Sequence, residues 1–124
     1  MNLIRCLHIT NPREAVHEML EVGVDPTGIK MMEGKALHLN LRVEGIDPRT
    51  ANLLKQEMLS LGGEAAVDHS GLDCSAKRAD ALLMGTQKQI EKLILKLDQY
   101  PDFQSLNQTL KVTLKNITKT HFTI

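Results

Sequence analysis

The chain of 124 residues is 42% hydrophobic and 24% charged, and its fifteen basic and fifteen acidic side chains cancel. That length supports one domain with its own core, needing no metal or disulfide to hold it together, and a second independent domain is not expected. Without net charge there is no long-range field toward phosphate backbones or anionic lipid, so neither nucleic acid nor a membrane is an expected partner.

Leu3 to Ile9 is a short apolar run, with Leu3, Leu7 and Ile9 on one side and Ile4 and Cys6 on the other, and it reads as a strand covered on both faces. Asn11 and Pro12 then open a helix, because Asn11 can cap it, Pro12 suits the first helical position, and Glu14 stands where a capping box needs it. Ala15, Val16, Met19 and Leu20 form its expected buried stripe, and Gly23 ends it. Asp25-Pro26 repeats the start signal, but Gly28 and Gly34 predict only one or two turns, carrying Ile29, Met31 and Met32.

From Ala36 to Glu44 the alternation is clear. Leu37, Leu39, Leu41 and Val43 face a core, while His38, Asn40, Arg42 and Glu44 form a polar face. Asp47-Pro48 opens the next helix, with Ala51, Leu54, Met58 and Leu61 inward and Gly62-Gly63 as its stop. Glu64 to Asp68 and Ala79 to Met84 read as two strands joined through Ser70-Gly71, an antiparallel pair. Thr86 with Gln89 makes a capping box for a helix whose apolar face is Ile90, Leu93, Ile94 and Leu97, broken at Pro101. Leu106, Leu110, Leu114 and Ile117 predict a further helix, and Thr118 to Ile124 alternates like the opening of another strand.

Assembled, the order is β-α-β-α-β-β-α-α. Helical crossovers imply that the first three strands run parallel, and the short connection implies an antiparallel fourth. The expected fold is α/β, α+β-like: a two-layer sandwich of a mixed four-stranded sheet with helices mainly on one face.

Tyr100, Phe103 and Phe122 are the whole aromatic complement. None falls on a predicted strand of the main sheet, so no base-stacking platform is expected. Cys6 and Cys74 form no C-x-x-C pair and are expected to be structural or incidental. The N-terminus lacks the basic-then-apolar order of a secretory signal, and no apolar run approaches the ~20 residues that span a bilayer. A cytoplasmic location is expected, where the triplet Asn116-Ile117-Thr118 is a chance sequon.

Catalytic signatures are missing: there is no G-x-S-x-G, Walker loop, G-x-G-x-x-G or H-E-x-x-H, and no Cys or His pair at metal-ligand spacing. The histidines His8, His17, His38, His69 and His121 are dispersed. No catalytic residue, metal or cofactor is expected. Two constellations remain. If the strands at 64–68 and 79–84 pair antiparallel, Gly62, Gly63, Gly85 and Thr86 cluster at one end, beside a helix N-terminus that suits an anion, with Lys55 about two turns back along the preceding helix. The same residues serve equally as helix stop, tight turn and N-cap. The polar strand face of His38, Asn40, Arg42 and Glu44 is the second, a modest polar interface or a solvated face.

The stretch Ala51-Asn-Leu-Leu-Lys-Gln-Glu-Met-Leu-Ser-Leu-Gly-Gly-Glu-Ala-Ala-Val67, followed by Leu82-Leu-Met-Gly-Thr-Gln87, resembles the N-terminal extension ahead of the barrel in some bacterial dihydropteroate synthases. Gly23-Val-Asp-Pro-Thr-Gly28 fits as well. The resemblance implies an accessory domain over 1–115 and, over 116–124, a linker or strand leading toward a catalytic (β/α)₈ barrel that this chain does not contain. In that family the barrel joins a pterin pyrophosphate to p-aminobenzoate in folate biosynthesis. Its Met-Gly-x-x-Asn-x-Thr-Pro-Asp-Ser-Phe segment has no counterpart here, so no catalytic residue carries over. The implied role is a docking or regulatory module whose partner is the barrel of the same polypeptide. The alternatives are a sensor of phosphate-bearing metabolites at the glycine cluster and a homodimerisation domain.

Overall fold

The computed structural model describes residues 2–68 and 77–119. Cys74, His69, His121, the Ser70-Gly71 turn and residues 120–124 of the expected C-terminal strand lie outside them, while Thr118, its expected first residue, ends a helix. Among the described residues, five helices and a three-stranded antiparallel sheet make up a mixed α/β fold: α1 (Pro12–Val22), α2 (Pro26–Ala36), β1 (His38–Ile46), α3 (Pro48–Ser60), β2 (Glu64–Val67), β3 (Ala79–Thr86), α4 (Gln87–Leu97) and α5 (Gln104–Thr118), with a 3-10 turn at Pro101–Phe103. Among the described residues no helix is long and apolar enough to cross a membrane.

The helix starts follow from their caps. The side chains of Asn11, Asp25 and Asp47 each accept a first-turn N–H, and each is followed by proline at the first helical position. Each cap satisfies one of the donors that a helix N-terminus leaves open. Thr86 caps α4 with the full capping box, as Gln89 returns its side chain to the Thr86 N–H.

Strand order is β1-β3-β2, with β3 antiparallel to both neighbours. β1 and β2 do point the same way, as expected, but β3 lies between them, so the sheet is antiparallel rather than mixed. It also has three strands among the described residues, not four. Among the described residues Leu3–Ile9 forms no strand and pairs with none: Leu3 is 86% and Ile4 97% exposed, and of this run Ile9 packs against the core. A short apolar run carries no information about whether an edge lies ready to pair with it.

α2 corrects a second expectation, running for eleven residues through both Gly28 and Gly34. A Cβ at Gly34 would stand 3.5 Å from the Lys88 Cβ, an ordinary van der Waals distance, so this turn of α2 is where it packs on the start of α4. Tertiary contact here outweighs the weak helix propensity of glycine. α1 is more exposed than its apolar stripe predicts. Ala15 is buried, Val16 and Met19 are half-buried, and Leu20 is exposed.

α3 and α4 lie on one face of the sheet, α5 packs on α4, and α2 joins α4 and β3 while carrying α1. Leu37, Leu54, Met58, Leu83, Ile90, Leu93 and Leu97 are almost fully enclosed at the centre. On β3 the inward Ala81 and Leu83 alternate with the outward Asp80 and Leu82. Leu83 stands opposite Leu41 on one side and Ala65 on the other, which fixes the register by side-chain size and polarity.

Candidate functional site

The antiparallel β2–β3 pair does gather the predicted glycine cluster. Gly62, Gly63, Gly85 and Thr86 border a cleft of about 500 Å³, together with His38, Asn40, Glu64, Met84 and Gln89. Gly62 is left-handed at φ 86°, and the Gly63 N–H donates to the Met58 carbonyl at 2.9 Å, closing α3. Gly85 is not in a tight turn. It lies within β3 opposite Leu39, where a Cβ would come within 2.8 Å of Gln89 Oε1 and 3.0 Å of Met58 Cε.

Gln89 ties this corner together. Its Oε1 accepts from the Thr86 N–H at 2.9 Å, its Nε2 donates to the Leu61 carbonyl at 3.2 Å, and its own N–H donates to Thr86 Oγ1 at 3.1 Å. The Gln87 N–H donates to the Leu37 carbonyl at 2.8 Å. The first-turn amides of Gln87 and Gln89 therefore already have partners within the protein, and an anion at this terminus would compete with them.

Lys55 takes a different role from the one expected. Its Nζ donates to Glu64 Oε1 at 3.0 Å and to the Ala65 carbonyl at 2.7 Å, while the Ala65 N–H donates to Glu64 Oε1 at 2.9 Å. Both backbone groups of Ala65 are thus held by side chains along the outer edge of β2. The Ala65 N–H, with Lys55 second, holds the Glu64 carboxyl below its ordinary range.

His38, Asn40, Arg42 and Glu44 are all exposed on the open face of the sheet. They share that face with Leu82 and Met84 of β3, which stand opposite Arg42 and Asn40. Arg42 is engaged: its Nη2 donates to Asp80 Oδ2 at 2.7 Å, and the Gly45 N–H donates to Asp80 Oδ1 at 3.0 Å. Gly45 has φ 66°, and the register breaks between Val43 and Ile46. Asp80 therefore stitches a β-bulge at the end of β1. Arg42, with Gly45 second, holds its carboxyl low, and Asp80 in turn raises the Arg42 guanidinium.

Two further polar clips escaped the sequence reading, because their members lie far apart along the chain. Between α3 and α4, Lys96 Nζ donates to Glu57 Oε1 at 2.9 Å and to Ser60 Oγ at 2.7 Å, and the Tyr100 hydroxyl donates to Glu57 Oε2 at 3.0 Å. Between α4 and α5, the buried Asn107 Nδ2 donates to the Ile94 carbonyl at 3.0 Å and to Asp98 Oδ1 at 2.8 Å, with Lys111 Nζ on the same oxygen. A larger cleft of about 590 Å³ at the α1 N-terminus is bordered by His8, Arg13, Glu14 and His17. There Glu14 is occupied by the Thr10 N–H and hydroxyl. Among the described residues no group of three His, Cys, Asp or Glu is placed to hold a metal.

Two curated proteins are similar to the chain. A probable bifunctional folylpolyglutamate synthase/dihydropteroate synthase of Halobacterium salinarum is 42% identical over 79 residues, 63% of this chain and 9% of that protein. The bifunctional dihydropteroate synthase/dihydropteroate reductase of Helicobacter pylori is 26% identical over 106 residues, 85% of this chain and 28% of that protein. Both are folate-pathway enzymes with a dihydropteroate synthase part. The matched part of the chain spans less than a third of either relative. No protein-family model matches it, and no solved structure does.

Proposed function

We propose that the chain is a non-catalytic accessory module of a folate-pathway enzyme carrying a dihydropteroate synthase unit. The length relation to the Helicobacter protein carries this reading. The matched segment occupies 28% of that protein and leaves roughly 270 residues, close to the about 250 that a (β/α)₈ barrel takes. Synthase chemistry then belongs to the other part, in agreement with a module whose charged side chains serve as caps and inter-element clips. Docking falls to the open sheet face, where Leu82 and Met84 are rimmed by His38, Asn40, Arg42 and Glu44. An apolar centre with a polar margin is the ordinary composition of an interface.

The test joins this chain to a dihydropteroate synthase barrel and assays condensation of a pterin pyrophosphate with p-aminobenzoate. The chain alone is expected to give no product, and Leu82→Asp in the joined protein is expected to lower activity or thermal stability while the module stays folded. Turnover by the isolated chain at the rate of a whole synthase would overturn the reading.

A second reading is favoured by the Helicobacter relative's name, which carries a reductase activity beside the synthase. If the barrel accounts for the synthase, the matched segment is a place for the reductase. Mixing the chain with dihydropteroate and a reduced nicotinamide or reduced flavin decides it. Oxidation of the donor that depends on dihydropteroate would favour the reductase, and none would leave the accessory reading.

A further inference from the structure

The two edges of the sheet are treated differently. On β2, four residues long, Lys55 and Glu64 occupy both backbone groups of Ala65. Side-chain cover of this kind, lysine above all, is how proteins keep an edge from pairing. β1 is nine residues long and, among the described residues, pairs on one side only, with β3. The helices that cover β2 and β3 reach β1 little, and its inward Leu41 and Val43 remain half-buried.

We propose that the outer edge of β1 pairs antiparallel with β1 of a second copy, in a register centred on Leu41, giving a continuous six-stranded sheet. The strand is complementary to itself in that register. On the open face His38 meets Glu44 of the other copy, and Asn40 meets Arg42. On the inner face Leu41 meets its own equivalent, and Leu39 meets Val43. Every polar residue thus faces a compatible polar one and every apolar residue an apolar one, the pairing that stabilises antiparallel neighbours. A slip of one residue would turn one strand's polar set toward the other's core side. The bulge at Gly45 limits the paired length to about seven residues, which buries less than the about 800 Å² per partner of a standard interface. The association is therefore concentration-dependent rather than permanent.

Cross-linking tests the register. With Cys6 and Cys74 replaced by serine, Leu41→Cys places two thiols face to face on the two-fold axis, whereas Ala66→Cys on the shielded β2 edge does not. Mild oxidation is expected to give a covalent dimer from the first and little from the second. Sedimentation of the unmodified chain from about 1 μM to about 1 mM is expected to show monomer passing to dimer. Glu44→Arg, which sets Arg against His38, is expected to shift that transition to higher concentration, and adding His38→Asp is expected to restore it. Any of three results would overturn the proposal. These are a monomer throughout the range, equal cross-linking at Ala66→Cys, or a dimer indifferent to both charge variants but abolished by Leu20→Asp on α1. Deleting residues 2–9 separates a competing occupant: if dimerisation appears only in the shortened chain, the apolar segment Leu3–Ile9 fills the β1 edge of its own copy.

Discussion

Lys96 Nζ donates to Glu57 Oε1 at 2.9 Å, joining the last turn of α4 to the last turn of α3. The Glu57 side chain is only 15% exposed and also accepts from Tyr100. Lys96, and after it Tyr100, hold the Glu57 carboxyl below its ordinary value of 4.5, against the opposing effect of burial. A carboxyl depressed in the folded state stabilises the fold above its unfolded pKa, and that contribution is lost as pH falls through the folded value. Glu57→Gln is expected to cost about 1 kcal/mol at neutral pH, allowing for the partial exposure of Lys96. Urea titrations between about pH 7 and pH 3 should show the wild type losing this advantage in the acid range while the variant varies less. Equal losses in both would remove the clip from the account.

α4 contains its own control. Leu93 is 0% and Leu95 67% exposed. Leu93→Ala is expected to destabilise by about 2–5 kcal/mol, as enclosed leucines do. Leu95→Ala should stay within about 0.5 kcal/mol. Chemical denaturation of the two variants would measure both, and similar losses would mean that the outward face of α4 is covered in solution.

The glycine corner makes a steric prediction. A Cβ at Gly63 would sit 2.7 Å from Met58 Cε and 3.0 Å from the Met84 carbonyl oxygen. The Met58 side chain is fully enclosed and the backbone oxygen is fixed, so neither contact is relieved without a shift in its surroundings. Gly63→Ala should therefore cost about 1–3 kcal/mol. The combined Gly63→Ala and Met58→Leu variant should lose less than the two single losses added, because leucine lacks the Cε. Strict additivity of the melting shifts would rule out that contact as the cause.

Asn107 is 1% exposed, and its amide nitrogen serves both Ile94 and Asp98. Asn107→Asp removes those donors and sets a second carboxylate beside Asp98 in a buried position. A loss of about 2–4 kcal/mol is expected at neutral pH. Here the sign with pH is reversed. The new carboxyl has a raised folded pKa, so its penalty grows above the unfolded pKa and fades as pH falls below it. A variant whose deficit deepened toward acid would contradict the geometry.

How much of this was legible in the sequence depended on how local each signal is. Asn11, Asp25, Asp47 and Thr86 act within a single turn, and all four marked their helices correctly. The alternation of Leu39 with His38 and Asn40 gave β1 its two faces, and antiparallel pairing of β2 with β3 gathered Gly62, Gly63, Gly85 and Thr86 as expected. Pairing at a distance was not legible. That β3 would enter between β1 and β2, and that Leu3–Ile9 would find no partner among the described residues, are decided by competition among edges, which no single segment encodes. Lys55 shows the same limit, since its spacing pointed toward the cluster while its ammonium group went to the strand edge.

α1 buries only Ala15, and α2 only Ile29, whereas α4 buries Ile90, Leu93, Ile94 and Leu97. The molecule thus has two tiers of cohesion. Local opening draws on the least-buried elements first, so α1 should exchange its amide hydrogens, and admit a protease, well before the sheet and α4 let go.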